Sequence, residues 1–312
     1  MYVKVSGQYD GQRLDNFLIR ILKNVPKSRI YNLIRKGEIR INKGRCKADS
    51  RLAVDDIIRI PPIRSIRNNE NPVVSNSLKK YISENILFED KDLLVFNKPS
   101  GFAVHGGSGI SMGVIEAFRS LRKSDEYLEL AHRIDKDTSG LLLLAKENKV
   151  AKKFTSFFKD RKIIKTYLAI VSPCPTDDRG TIDLPLSKSF TKDYQRMSVD
   201  QNMGKRAISE YKVLDKVGSR VALVALFPKT GRTHQLRVHL EYINAPIVGD
   251  NKYRGLSEVF MSSHNLPEHK KLSQIKWIPN NIKNLQLHAY SIRIPESETI
   301  IAEVSEDFKQ NL

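Results

Sequence analysis

Leu14, Phe17, Leu18, Ile21 and Leu22 fall at the three-and-four spacing of one helical face. Ile30, Leu33 and Ile34 repeat that spacing after Pro26, with Ser28 placed to cap, so two short amphipathic helices are expected. Gly37 ends the second. Ile39 and Ile41 then alternate with Arg40 and Asn42 as strand residues do, and Ile57, Ile58 and Ile60 close the unit before Pro61-Pro62. From residue 63 to 80 the chain is polar, irregular and without period. It reads as a linker, and a flexible coil of about 18 residues has an r.m.s. span of about 20 to 25 Å, enough for a partner to position the first unit freely. Beyond Tyr81, apolar runs at 93–96, 141–144, 167–171, 221–227 and 292–294 alternate irregularly with helical stretches such as Val114–Leu121. That order argues for an α+β fold with a mixed sheet rather than a regular βαβ array. The expected division is 1–62, a linker at 63–80, and 81–312.

Composition narrows the partners. The chain has 312 residues, 40% apolar and 28% charged, enough to bury a core and to form two domains. Cys46 and Cys174 are the only cysteines, with no CxxC, so neither a disulfide framework nor a thiolate zinc site can be assembled, and a reducing compartment fits. No apolar run approaches the ~18 residues of a membrane span, and the first residues lack a basic stretch followed by an apolar one. A soluble, cytoplasmic protein is expected. The net charge of +18 implies a polyanionic partner, nucleic acid rather than membrane. Between residues 12 and 65, fourteen Lys and Arg face five acids, so half of that net charge sits in the first unit. Lys27, Arg29, Arg35, Lys36 and Arg40 crowd its second helix and the turn after it, a face suited to phosphates.

Several catalytic signatures are missing. Gly107-Ser108-Gly109-Ile110-Ser111-Met112-Gly113 precedes a helix, but the strand–helix alternation of a dinucleotide fold is absent around it. His105-Gly106-Gly107 has no GxSxG nucleophile elbow to serve, and neither GxxxxGK[ST] nor HExxH occurs. His234 and His239 are five apart, off a common helical face, and read as structural histidines. No metal and no cofactor are expected.

The most informative segment is Ala131-His132-Arg133-Ile134-Asp135-Lys136-Asp137-Thr138-Ser139-Gly140, which runs into Leu141-Leu142-Leu143-Leu144. It sets a carboxylate and a guanidinium at the lip of a turn feeding an apolar strand. On composition alone, Asp135 and Asp137 are equally good turn caps and Arg133 a surface charge. A second cluster, Thr230-Gly231-Arg232-Thr233-His234-Gln235-Leu236-Arg237-Val238-His239-Leu240, shifts the balance, because His, Gln and Arg at this density suit a partly buried hydrogen-bond network. Lys165-Thr166-Tyr167 adds an aromatic face.

Residues Gln12-Arg13-Leu14-Asp15, Ser28-Arg29, Leu33-Ile34-Arg35-Lys36-Gly37, Ile41-Asn42 and Ile57-Ile58-Arg59-Ile60 resemble the small RNA-binding domain of the ribosomal-protein S-four type, the alpha-L motif. The rest resembles the RluA-type pseudouridine synthase family, and within it the RluC branch. The resemblance rests on the two clusters above together with Asn97-Lys98-Pro99-Ser100-Gly101, Ala103-Val104-His105-Gly106-Gly107-Ser108-Gly109, Gly249-Asp250 with Tyr253, and Leu287-His288-Ala289. Ile134 stands where the family has leucine, a volume-conserving change, and Arg254 intervenes between Tyr253 and Gly255. The resemblance implies a pseudouridine synthase catalytic domain that isomerises uridine within RNA without cofactor or metal. Asp135 would be the catalytic carboxylate, attacking the anomeric carbon or removing a ribose proton. Either role needs it ionised, a state that a neighbouring cation, Arg237, would favour. Tyr167 would stack on the target base, Arg133 fill the gap left by the flipped uridine, and Leu236 pack beside the base, with His132 among the RNA-contacting residues. The branch implies three target uridines in 23S ribosomal RNA, and a monomer is expected. A non-catalytic RNA-binding or assembly factor, and a synthase acting on transfer RNA, are the alternatives.

Overall fold

A computed structural model describes residues 1–22, 25–63, 75–106, 112–122, 126–190, 195–253, 282 and 284–309. The glycine-rich residues 107–111, most of the linker (64–74), and Arg254 with Gly255 lie outside them.

The N-terminal unit comprises β1 (Tyr2–Lys4), α1 (Leu14–Ile21), α2 (Lys27–Arg35), β2 (Arg40–Ile41), β3 (Gly44–Arg45) and β4 (Ile57–Arg59). Its antiparallel sheet has the order β1-β4-β2-β3, and the apolar faces of both helices meet it around Leu14, Phe17, Leu18, Ile30, Leu33, Ile34 and Ile58. Pro26, not Ser28, is the N-cap of α2. The proline supplies an extended residue just ahead of the helix, which leaves Ser28 inside the first turn. At the other end Gly37, at φ 72°, donates its N–H to the Ile34 carbonyl while Glu38 donates to that of Leu33. This left-handed stop needs glycine and throws the chain directly into β2.

The stretch read as linker runs too far. Ser75 caps α3 (Asn76–Glu84) by accepting a hydrogen bond from the Leu78 N–H, and Leu78, Tyr81 and Ile82 pack into the larger core. Nor does the N-terminal unit stand free. Asp10 takes a hydrogen bond from Asn148 at its carbonyl (2.8 Å) and an ion pair from Lys152 (3.0 Å). Arg20 donates to the Glu126 carbonyl (2.9 Å) with its guanidinium over the rings of Tyr9 and Tyr127.

The remaining elements are β5 (Ile86–Glu89), β6 (Leu93–Lys98), α4 (Val114–Leu121), β7 (Glu129–Leu130), β8 (Ser139–Ala145), α5 (Asn148–Lys159), β9 (Ile164–Val171), β10 (Arg179–Asp183), β11 (Leu186–Phe190), β12 (Gln195–Val199), β13 (Ile208–Val217), β14 (Val221–Pro228), α6 (Gln235–Tyr242), β15 (Leu287–Arg293) and β16 (Thr299–Ile301). The large sheet has the order β10-β13-β14-β9-β15-β8-β6-β5, with β7 on β8 and β16 on β15, while β11 and β12 form a separate ribbon. It is mixed: β15 runs antiparallel to β9 but parallel to β8. The two halves thus meet along β15, and each carries its own core, one about β6, β8 and α4, the other about β9, β14 and α6. At this joint Gly140 sits at φ 103°, and a Cβ there would lie 2.3 Å from the Ala289 carbonyl oxygen. Only glycine lets the strands approach this closely.

Candidate active site

The joint between the half-sheets positions the site. Asp135 lies on the turn that enters β8, Tyr167 on β9 and Leu287 on β15, and all three line one cavity of about 890 Å³. Arg133, His132, Leu236 and Arg237 line it as well, so every residue expected in the large domain's site faces a common hollow. The basic residues of the N-terminal unit are not part of it. Lys27, Arg29, Arg35 and Lys36 are exposed on α2 and just after it, while Arg40 is half-buried and donates to the Gly37 and Lys43 carbonyls.

The Asp135 turn is pinned from below. Lys98, wholly buried at the end of β6 opposite Gly140, donates its three N–H groups to the carbonyls of Pro99 (2.7 Å), Phe102 (2.8 Å) and Lys136 (2.8 Å). Burial pushes its pKa down to about 7, against the opposing pull of Asp137 and Asp135. Ser100 donates to the Asp137 carbonyl (2.6 Å), and the Thr138 N–H closes the turn on the Asp135 carbonyl. With its neighbouring carbonyls bonded, the turn holds the Asp135 side chain, 22% exposed, toward the cavity.

Arg237 is shared between two carboxylates. Its Nε and Nη2 donate to Asp250 at 2.7 Å each, a bidentate pair in which the Asp250 side chain is fully enclosed. Nη1 faces Asp135 Oδ2 at 3.9 Å. Burial works against the guanidinium charge, but Asp250 outweighs it and raises the pKa of Arg237. Asp250 therefore orients the cation as well as neutralising it, and its own position is fixed by the N–H groups of Lys252 and Tyr253.

The 230–240 stretch is a turn followed by a helix. Gln235 stitches the turn together, accepting from the Thr230 hydroxyl (2.7 Å) and the Arg232 N–H (3.0 Å) and donating to the Ile208 carbonyl and the Ser209 hydroxyl. Its helix, α6, is buried through Leu240, so Leu236 and Arg237 point the polar–apolar mixture inward. His239 is structural, as the sequence suggests: it is enclosed, with Nδ1 to Ser209 and Nε2 to the Leu184 carbonyl. His234 is different. It caps α6 in the left-handed region at φ 53°, its Nε2 lies 3.9 Å from Asp135 Oδ2, and it lines the cavity.

Tyr167 carries a phenol whose pKa is raised by burial and, secondarily, by the Asp135 charge, so its hydroxyl stays neutral. His132 Nε2 accepts the Leu143 N–H at 3.1 Å, and its ring packs beside Phe158. Burial pushes its pKa down to about 3, which makes it an uncharged bracket between the turn and β8. Arg133, Lys159, Arg161, Lys229 and Arg232 line the cavity from exposed positions, a basic rim suited to a phosphate backbone. Among the described residues no group of three or more His, Cys, Asp or Glu could hold a metal ion, and no helix is long and apolar enough to cross a membrane.

A carboxylate under a shared guanidinium, an aromatic wall and a basic mouth, set at the joint of a mixed sheet, are the arrangement that the resemblance to the pseudouridine synthase class implies. The family model for RNA pseudouridylate synthase matches residues 92–242, and that for the S4 domain matches residues 12–58. "Ribosomal large subunit pseudouridine synthase C" of Buchnera aphidicola subsp. Schizaphis graminum is 41% identical over 99% of this chain and 96% of its own length. The protein of the same name from Haemophilus ducreyi is 40% identical over 89% of this chain and 90% of its own. The solved structure of human RNA pseudouridylate synthase domain containing 4 is 30% identical, with a TM-score of 0.58 over 76% of this chain and 94% of that one. The chain belongs to the RluA-type pseudouridine synthase family, isomerases of uridine in RNA, and carries an N-terminal S4 domain.

Sequence reasoning left Lys98, His234, Asp250 and Tyr253 out of the candidate site. Lys98, Asp250 and Tyr253 stood within the matched segments and could have been found there. The spacing of His234 from His239 rules out a shared helical face for a metal and gives no sign of Tyr253 or Asp135 beside its ring.

Proposed function

We propose that this enzyme converts uridines of 23S ribosomal RNA to pseudouridine, at three target positions, with Asp135 as the catalytic carboxylate acting on a uridine flipped into the cavity. The convergence of Asp135, Tyr167 and Arg237 on one hollow carries the catalytic part of this reading. The large-subunit substrate is supported by the relatives, whose names specify that subunit.

Flipping a nucleotide costs a few kcal/mol in a paired region and less in a loop. Arg133, exposed beside the mouth, is suited to fill the gap left in the RNA, while the neutral ring of Tyr167 stacks on the base and Leu236 packs against it. Asp135 Oδ2 faces Arg237 and His234, and Oδ1 accepts no hydrogen bond among the described residues. Oδ1 is the oxygen that meets the ribose, by attack at the anomeric carbon or by taking a ribose proton; in either case the bond from C1′ to N1 of uracil breaks, and the base rejoins C1′ through C5, which then loses its proton. The exposed Lys27, Arg29, Arg35 and Lys36 bind phosphates of the surrounding RNA, and His132 acts by holding the turn. The enzyme acts as a monomer in the cytoplasm, where a ribosomal substrate is found.

Carbodiimide and primer-extension mapping of 23S RNA from a strain lacking this chain tests the substrate. Stops missing in that strain at three uridines, restored by the intact chain, are expected. An unchanged stop pattern would overturn the ribosomal assignment.

A further inference from the structure

The hydrogen-bond chain behind Asp135 determines where the proton on His234 sits. The buried Tyr253 hydroxyl accepts the Met197 N–H at 2.9 Å and lies 2.8 Å from His234 Nδ1. Among the described residues Oη meets no other acceptor, so its own hydrogen goes to Nδ1. Burial pushes the tyrosine pKa up to about 12, which keeps that hydrogen in place. Nδ1 is then an acceptor, and a neutral imidazole must carry its hydrogen on Nε2. Burial also lowers the histidine pKa, with Asp135 opposing, so the neutral form prevails. The rare left-handed backbone of His234, held by the Gln235 network next to it, aims the ring from the end of α6 toward the cavity.

We infer that His234 is a positioning residue for Asp135: Tyr253 locks it as the Nε2–H tautomer, and that N–H joins Arg237 Nη1 on Oδ2, turning Oδ1 toward the ribose. Both donors stand 3.9 Å from the same oxygen. Such contacts close when substrate fills a site. Two donors on one oxygen fix the plane of the carboxylate, which one guanidinium nitrogen cannot do alone. This inference rests on the catalytic role proposed for Asp135.

Steady-state conversion of transcribed 23S RNA by wild type, His234→Asn, His234→Gln and Tyr253→Phe tests it. Asparagine places an amide where Nδ1 was and leaves nothing at Nε2, while glutamine keeps a donor at the Nε2 position. His234→Asn should lower kcat by up to about 100-fold, the scale of an ångström's misplacement, with KM for RNA within about 3-fold. His234→Gln should recover most of that loss, and Tyr253→Phe, which frees the tautomer but keeps the imidazole, should fall between. Equal losses in the Asn and Gln proteins, or kcat near wild type in His234→Asn, would overturn the inference. If His234→Asn does not fold, an unchanged kcat in Tyr253→Phe overturns it and a reduced one at constant KM supports it. An inactive wild type would instead count against the substrate assignment.

Discussion

His132 couples the stability of the catalytic domain to pH. Its Nε2 accepts the Leu143 N–H, the half-buried ring lines the cavity, and burial, with Lys165 adding repulsion, holds its pKa near 3 against an ordinary 6.5. Below pH 6.5 the unfolded chain takes up a proton here that the folded chain refuses. Stability is therefore complete above that pH and is lost as pH falls toward 3, at about 1.4 kcal/mol per pH unit once well below 6.5. At pH 5.0 the loss from this one group is about 2 kcal/mol. His132→Gln keeps an acceptor in reach of the Leu143 amide but does not titrate. Urea unfolding followed by far-ultraviolet circular dichroism at pH 7.5 and 5.0 gives the acid loss for each protein. The variant should lose about 2 kcal/mol less than wild type over that interval. The buried His239 and His288, also held low by desolvation, contribute equally to both proteins and cancel. Identical acid losses would refute the linkage and with it the neutral bracket at His132.

Asp250→Ala leaves the guanidinium of Arg237, 6% exposed, without its bidentate partner and should destabilise the domain by about 3 to 5 kcal/mol in the same unfolding measurement. Removing the stranded charge as well, in Arg237→Met with Asp250→Ala, should return part of that loss. Replacing Lys27, Arg29, Arg35 and Lys36 together with glutamine should make log affinity for RNA against log salt shallower by about 3, at about 0.7 to 0.9 for each lost phosphate contact. An unchanged slope in filter binding would remove α2 from the RNA interface.

The local elements were legible because each stands on a local cause. The spacing of Leu14 to Leu22 and of Ile30 to Ile34 gives helices, Gly37 stops one of them, and the run at 141–144 makes a central strand buried on both faces. The HRID-like segment and Tyr167 were legible as candidate chemistry by resemblance. The remainder depended on tertiary contacts. Ser75 looks like one more polar residue of a linker until Leu78, Tyr81 and Ile82 find the larger core. Asp10 and Arg20 carry no sign that they will meet Lys152 and Glu126 more than 100 residues away. In the 230–240 stretch, the buried character of α6 is concealed because Gln235 and His239 bond to Ser209 and Arg237 to Asp250 instead of water. His234 was the costliest miss, since its role follows only from Tyr253 behind it and Asp135 in front.

In the proposed reaction the carboxylate of residue 135 performs the chemistry while the rest of the pocket binds. Conversion of uridine in 23S RNA by Asp135→Asn, measured beside RNA affinity on the same preparation, tests it most directly. The variant should form no pseudouridine, with affinity within a few fold of wild type. Turnover near wild type from the amide would contradict it.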